Sequence, residues 1–410
     1  MAELSKFPKD WKVGRLGEGL SLIRNGLVSN QNKDGNGLPV TRIETISEEK
    51  IDNQKVGYIE KVSEKELSEY KLQKGDILFS HINSLEHIGK TAIYDGIPSL
   101  LLHGMNLLLL RPQKSIFIPY YLLHLLKHFR EKSIFRNLSK KAVNQASINQ
   151  TELSKVNLPL PPLPEQKKIA EVLTTADEAI ELSDKIIEKL KKLKSGLMQR
   201  LLTQGIEHKE FKDTEIGRIP KDWKVVRLGD EMLFEIIMGQ SPPSSTYNKS
   251  TEGLPFLQGK IEFGEIFPKP IIYCTKPIKV SEKGDILVSV RAPVGEVNIS
   301  QSKICIGRGL SALRCKPDKI SHLFLFYYLK HSGNKLEKIS GGSTFKAIRK
   351  DDLVRFEISL PPLPEQKKIA EILNSVDERI EAEGKRKERF ERIKRGLMND
   401  LLTGKKRLRV

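Results

Sequence analysis

The chain has 410 residues, 38% hydrophobic and 30% charged, and its 70 lysines and arginines against 52 aspartates and glutamates give a formal charge of +18. That length exceeds one ordinary core, so two domains or more are expected, and the positive balance favours a polyanionic partner. Cys274, Cys305 and Cys315 show no paired metal-ligand spacing and are too few for a disulfide framework, which argues against a disulfide-stapled secreted protein and for a reducing cytoplasm.

Taken in chain order, the opening MAELSKFPKDW has no apolar signal region. DILFSHI, from Asp76, has strand character. Gly89-Lys90-Thr91 imitates part of a phosphate-cradling loop, but such a loop needs a second glycine where Ser84 stands. The most apolar run, SLLLHGMNLLLLRP, is interrupted by His103, Gly104 and Asn106. It falls short of the roughly 18 to 20 apolar residues of a membrane span, so no membrane partner is expected. YYLLHLLKHFREK and, in the second half, LFLFYYLKHSGNKLEKI read as helices. DILVSVRA and LSALRC read as strands. Gly307 to Ala312 spells a dinucleotide fingerprint, yet a strand-like segment follows it where the phosphate-binding helix should begin. No HExxH metal helix or methyltransferase cofactor loop is found, and the eight scattered histidines read as structural or contact residues.

The organisation is an internal repeat. FPKDWKVGRLGE at Phe7 returns as IPKDWKVVRLGD at Ile219, 212 residues later, and KGDILFS at Lys74 returns as KGDILVS at Lys283, 209 later. Gly104 and Arg111 return as Gly307 and Arg314 at an offset of 203, and LPPLPEQKKIAE at Leu160 returns unchanged at Leu360. The shrinking offset is what small loop deletions between two copies of one fold produce. Each copy has a globular part, 1–158 or 219–358, followed by a helical part, 159–203 or 359–404. Residues 204–218 form a polar connector and 405–410 a basic tail. The expected fold class is α+β: two globular mixed α/β domains and two long coiled-coil helices in a pseudo-two-fold repeat, like a dimer fused into one chain.

Pro164 suits the start of a helix and Glu165 its positive end. PPLP also matches a polyproline ligand, but the start of a helix explains it better. Ile169, Leu173, Ala176, Ile180, Ile187, Leu190, Leu197 and Leu201 alternate in steps of four and three once Ser183 and Lys194 fill the gaps. The second copy repeats this with Ile369, Leu373, Val376, Ile380, Phe390, Leu397 and Leu401, broken at Glu383, Lys387 and Lys394. These polar breaks either fix register or are solvated positions. Gly205 and Gly404 are stop signals. Each helix should run about 40 residues, or about 60 Å, and pair with the other copy. The helices are nearly balanced in charge: 164–203 holds eight basic against seven acidic residues, and 364–403 ten against nine. Most of the positive charge therefore belongs to the globular parts and connector.

PLPPLPEQKKIAEVLTTADEAIE and its second copy, with IPKDWKVVRLGD, IMGQSPPSSTYN, RAPVGEVNI, GSTFKAIRKDDL, FSHINSLEHIGKTAIYDG and NQASINQTELSKVNLPLPPLPEQ, resemble the specificity subunit of type I restriction–modification systems. The short lead before Phe7, set against the longer connector before Ile219, departs from the repeat and leaves closure between the two ends open. The resemblance implies that 1–158 and 219–358 are target-recognition domains, each reading one half of a bipartite, asymmetric DNA site. It implies that the helices lie antiparallel, set the spacer and dock partners. The implied partners are double-stranded DNA, two methyltransferase subunits that bind S-adenosylmethionine, and restriction subunits that use ATP and Mg²⁺. No cofactor or metal is then expected on this chain, and no catalytic residue. A self-sufficient DNA methyltransferase or nuclease, or a coiled-coil scaffold, is the alternative. Copies that dock identical partners have reason to stay identical, and copies that read different half-sites have reason to diverge.

Polar or basic residues in loop-like stretches beside strands are the expected DNA contacts: His81, Asn83, Lys90, Lys140, Lys141 and Gln145, then Gln240, Ser241, Tyr247, Arg291, Lys346 and Arg349. Lys140 and Lys141 suit phosphate, while Gln145 and Arg291 suit base edges.

Overall fold

A computed structural model describes residues 7–141, 145–339 and 347–408. The chain forms two compact units, Met1–Asp184 with Lys385–Val410, and Lys185–Gly384. The long helices are Leu163–Leu201 and Leu363–Leu401, 39 residues each. Each helix contributes one half to each unit. Gly205 and Gly404 follow the helix ends with φ of +69° and +68°, as stop signals require.

The first unit is built on an antiparallel sheet ordered Leu20–Asn25, Leu107–Pro112, Ile77–Ser80, Thr91–Ile93. The leucine run of its second strand is buried on both faces. Side chains alternate across a strand, so Leu108 and Leu110 join Ile77 and Phe79 in one core. Leu107 and Leu109 join Leu78 and Ala92 in another. The helix Pro119–Glu131 contributes Tyr121, Leu122, Leu125 and Leu126 to the first of these cores. Asp76, 1% exposed, takes a two-point ion pair from Arg111 at 2.7 and 2.7 Å, pinning the turn before one strand to the end of its neighbour.

The second unit repeats the plan with Phe234–Met238, Leu310–Cys315, Ile286–Ser289 and Val297–Ile299. Arg314 bonds Asp285 at 3.1 and 2.9 Å as Arg111 bonds Asp76. The segment read as one helix is divided at Ser332 into His322–His331 and Gly333–Ile339. The larger difference is a five-stranded sheet, Tyr247–Asn248, Ile272–Cys274, Leu254–Leu257, Ile304–Ile306 and Val280–Ser281. The first unit has at that place the pair Leu38–Val40 and Gly57–Ile59.

Both units attach to their helices in the same way. Lys12–Arg15 pairs with Asn157–Leu160, and Lys224–Arg227 with Glu357–Leu360, each second strand running straight into the prolines before a long helix. The Trp11 indole donates to Glu165 at 3.1 Å, and the Trp223 indole to Glu365 at 3.0 Å. The Gln166 amide accepts from the Ile118 backbone and donates to the carbonyls of Ile116 and Pro161. Gln366 accepts from Ser321 and donates to Lys319 and Pro361. Ile169, Ala170 and Leu173, like Ile369, Ala370 and Leu373, complete the cores. Much of the twelve-residue repeat is thus an internal clamp that holds a helix to its own globular part.

The question of the chain ends is answered within the first unit. Arg407 donates to Asp10 at 2.9 and 2.8 Å and to Glu165 at 2.6 and 2.7 Å. Gly404 lies so close to Pro8 that an added Cβ would come within 2.4 Å of its ring. In the second unit the connector takes the same role, with His208 on Glu365 at 2.8 Å and the Ile206 amide at 2.9 Å.

The three lysine breaks of the heptad pattern meet aspartates on the other helix. In the first unit Lys394 bonds Asp177 at 2.5 Å and Lys387 bonds Asp184 at 2.6 Å, seven residues along each helix in opposite directions, so the helix halves run antiparallel. In the second unit Lys194 bonds Asp377 at 2.6 Å, the same pair in the other copy. Ser183 is 1% exposed and fills the seam without a large side chain. Ser183 and the three lysines read as register-fixing positions rather than solvated ones.

Candidate nucleic-acid interface

In the first unit, a small sheet ordered Ile82–Asn83, Ala146–Ser147, Lys140–Lys141 gathers most of the expected contacts. Ala146 pairs with both Asn83 and Lys141, and Ser147 with Ile82 and Lys140. Lys140 and Gln145 are exposed, while the Lys141 side chain lies outside the described residues. The Asn83 amide donates to Ser80 at 3.1 Å and accepts from the Ser84 backbone at 2.8 Å, which fixes its orientation. His81 joins the sheet through its carbonyl, which accepts from Ile148 at 2.9 Å. Its ring is buried, and burial pushes the imidazole down to about 4, so it is a neutral group at pH 7. Lys90 is not brought to this surface: its ammonium donates to the Ser47 carbonyl.

The matched place in the second unit is marked by Ile348, which donates to the Val290 carbonyl at 2.9 Å. Arg291 bridges to Ala347 beside it, and its side chain is exposed. Arg349 is exposed, and its backbone N–H, at the start of the helix Lys350–Arg355, donates to Asp352 at 2.8 Å. Lys346 lies outside the described residues.

Gln240, Ser241 and Tyr247 belong to a separate surface. The Gln240 amide donates to the Ile306 carbonyl at 3.0 Å, and the Ser241 hydroxyl accepts from the backbone of Arg308 at 3.1 Å. Tyr247 stacks on Phe256 with centroids 4.6 Å apart and donates its hydroxyl to the Pro242 carbonyl at 2.8 Å. Burial raises the Tyr247 hydroxyl and the charge of Arg308 works the other way. Arg308 was not among the expected contacts, although its exposure on this surface qualifies it as well as any of them.

A second signal was also passed over. Asn32 accepts from the Asp34 amide at 3.1 Å and donates to Asn36 at 2.9 Å, and Asn248 accepts from the Ser250 amide at 3.1 Å and donates to Glu252 at 2.9 Å. Each loop ends in a glycine at positive φ, Gly37 or Gly253, where an added Cβ would meet the carbonyl of Ile59 or Cys274 at 2.2 Å. The repeated Gly-Leu-Pro at Gly37 and Gly253 marks this correspondence in the sequence. The loops keep one turn and carry different side chains.

This surface offers donors, acceptors and positive charge. Among the described residues no group of three or more histidines, cysteines or acids is placed to hold a metal, and no helix is long and apolar enough to cross a membrane.

The family model described as type I restriction modification DNA specificity domain matches residues 8–192 and 220–392. A chain of Methanocaldococcus jannaschii, provisionally named the type I restriction enzyme MjaX specificity subunit, is 56% identical over 408 residues, covering 99% of this chain and 96% of its own. The type I restriction enzyme MjaVIII specificity subunit of the same organism is 31% identical, covering 98% of this chain and 95% of its own. A solved structure concerned with complex assembly and conformational transition of the type I R-M system has a TM-score of 0.59 at 27% identity, covering 97% of this chain and 98% of that one. The type I restriction–modification S subunit from M. genitalium, at 15% identity, shares the fold with a TM-score of 0.64 and 98% coverage of both chains.

Proposed function

This chain belongs to the family of type I restriction modification DNA specificity domain proteins, and we propose that it is the sequence-reading subunit of such a complex. Each globular part, 1–158 and 219–358, reads one half of a bipartite, asymmetric site in double-stranded DNA, and the helices set the unread spacer. The observation that carries this reading is the contrast within one chain. The clamp of Trp11, Glu165 and Gln166 is kept as Trp223, Glu365 and Gln366, while the loops held above it have different side chains. The clamp positions two recognition surfaces in an equivalent way, and the loops give each its own sequence.

The duplicated segment also exposes Pro162, Lys167 and Glu171, identical to the exposed Pro362, Lys367 and Glu371. Internal packing does not require that identity, which two identical methyltransferase subunits docking here would. Restriction subunits join that assembly. S-adenosylmethionine, ATP and Mg²⁺ are bound by those partners, and this chain performs no catalysis. Its contacts to phosphate come from Lys140 and Lys141, and its base contacts include Gln145 and Arg291. Asn83 and Arg349 line the same two surfaces, with His81 as a neutral neighbour, while the Lys90 ammonium is held by the Ser47 carbonyl. The work is placed in the cytoplasm, where the three thiols stay reduced.

The test is methylation by the purified chain with and without its methyltransferase subunits, read by sequencing the modified DNA. The expected result is no methylation by the chain alone and a bipartite methylated motif with partners present. Methyl transfer by the chain alone would overturn the reading.

A further inference from the structure

We infer that the turn Gly307–Arg308–Gly309 is a base-reading element of the second recognition domain and that the Arg308 guanidinium reads a guanine. This rests on the DNA-reading role proposed above and names one residue within it. The backbone of the turn is fastened on every side. Gly307 donates to the Leu257 carbonyl at 2.8 Å, Gly309 to Gln258 at 3.2 Å, Leu310 to Gly307 at 3.0 Å, and Val290 to Gly309 at 2.9 Å. Between the glycines, the Arg308 amide is held by the Ser241 hydroxyl at 3.1 Å. A Cβ at Gly309 would meet the Gln258 carbonyl oxygen at 2.4 Å, so the backbone packs too closely for any side chain but that of Arg308 to leave the turn.

Arg308 is exposed, and among the described residues no carboxylate pairs with it. Other cations of the same unit are committed: Arg314 to Asp285 and Glu235, Arg227 to Glu357, Lys303 to Glu282, Lys260 to Glu296. An unpaired guanidinium on a locked turn, beside the exposed Gln240, has little backbone freedom to lose on binding. Its planar fork matches the O6 and N7 acceptors of guanine in the major groove.

The matched turn of the first unit supports the assignment by contrast. There Leu27 donates to the His103 carbonyl at 2.9 Å, as Gln240 does to Ile306, and Gly104 donates to the Thr41 hydroxyl at 2.9 Å. A Cβ at Gly26 would strike the Gly104 carbonyl oxygen at 1.8 Å, and one at Gly239 the Gly307 carbonyl oxygen at 2.2 Å. The Leu27 and Gln240 bonds and the close glycine pairs are kept, but Gln240, Ser241, Arg308 and Gly309 are replaced by Leu27, Val28, Met105 and Asn106. Val28 is 81% exposed, an apolar side chain suited to a thymine methyl and not to a phosphate. A place anchored alike in both units, whose exposed side chains change from polar to apolar, is where two reading heads would differ.

The experiment measures binding of the full chain with its methyltransferase subunits to the cognate duplex and to duplexes substituted at each base pair of both half-sites. R308M and R308K are compared with wild type, and the salt slope is recorded. Wild type should lose roughly 10- to 100-fold when one guanine in one half-site is replaced. R308M should lose that discrimination alone, keep every other position, and melt as wild type does. R308K should lose the same discrimination while keeping the salt slope, because it retains charge without the fork. Unchanged discrimination in R308M would overturn the inference. So would a uniform loss on all duplexes with a shallower salt slope, which is the signature of a phosphate contact. A wild-type complex that discriminates at no position would overturn the DNA-reading role as well, which separates the two failures.

Discussion

In the second unit Tyr327 donates its hydroxyl to Asp377 at 2.8 Å, and Lys194 from the other helix bonds the same aspartate. In the first unit, the corresponding aspartate, Asp177, is bonded by Lys394, but His124 takes the place of the tyrosine, with Nδ1 3.8 Å from the carboxylate and Nε2 on Thr174. The cross-helix pair is kept and its covering side chain is exchanged. Similar contrasts recur: His208 against Arg407 on the clamp glutamate, Arg308 against Met105 at the Gly307–Gly309 turn and its counterpart. Groups that position one element on another are repeated, whereas groups that cover or extend from that frame drift. Repetition within this chain therefore separates mechanical roles from local ones without reference to any other protein.

The clamp should break both units alike. Trp223→Ala and Trp11→Ala each remove a buried indole and leave a carboxylate, half-buried Glu365 or buried Glu165, short of one donor, and each should cost about 3–5 kcal/mol in the unit that carries it. Calorimetry of the two variants tests the equivalence; a large effect in only one would mean that the clamps are not matched. Acid should instead distinguish the units. Burial pushes His103 down to about 4 and His124 to about 3; beside His124, Asp177 opposes that shift and Lys394 and Lys127 add to it. A histidine held neutral in the fold contributes fully above its unfolded value of about 6.5 and loses that contribution as pH falls toward the folded value. Between pH 6.5 and about 5, His103 and His124 should each remove about 2 kcal/mol from the first unit. Tyr327, at the place of His124, stays neutral throughout this range. The first unit should unfold first as pH drops, and His124→Tyr should narrow the gap.

Lys194→Ala should cost about 2 kcal/mol, less than a fully buried pair because water reaches its edge. Lys394→Ala should cost less again, since Asp177 is 30% exposed and Asp377 13%. Denaturant melts of the two variants rank them. The smallest effect is expected at the chain ends. Arg407→Ala should cost about 1 kcal/mol, the pair being discounted because the guanidinium is 39% exposed.

The repeat, the long helices, their seam and the strands within DILFSHI, DILVSVRA and LSALRC were legible, because identical segments, heptad spacing and alternation need no tertiary information. The edge strands Leu20–Asn25 and Phe234–Met238 and the five-stranded sheet instead take their form from pairing with distant segments. The clamp residues were visible as a repeated motif, but their role was not. Sequence identity between copies does not tell an internal contact such as Trp11 to Glu165 from a docking surface. The bond of the Lys90 ammonium to the Ser47 carbonyl was not legible, because a half-buried lysine bonded to a carbonyl looks, in sequence, like any loop lysine. Arg308 was passed over because Gly-Arg-Gly was weighed only as a nucleotide loop, and the brace from Ser241 comes from 67 residues away.

The claim of two independent reading heads on a common frame is tested most directly by replacing residues 1–158 with the matching domain of another family member and sequencing the methylated DNA with partner subunits present. The account predicts that one half of the bipartite motif changes while the other half and the spacer stay as they were. A motif altered in both halves would contradict it.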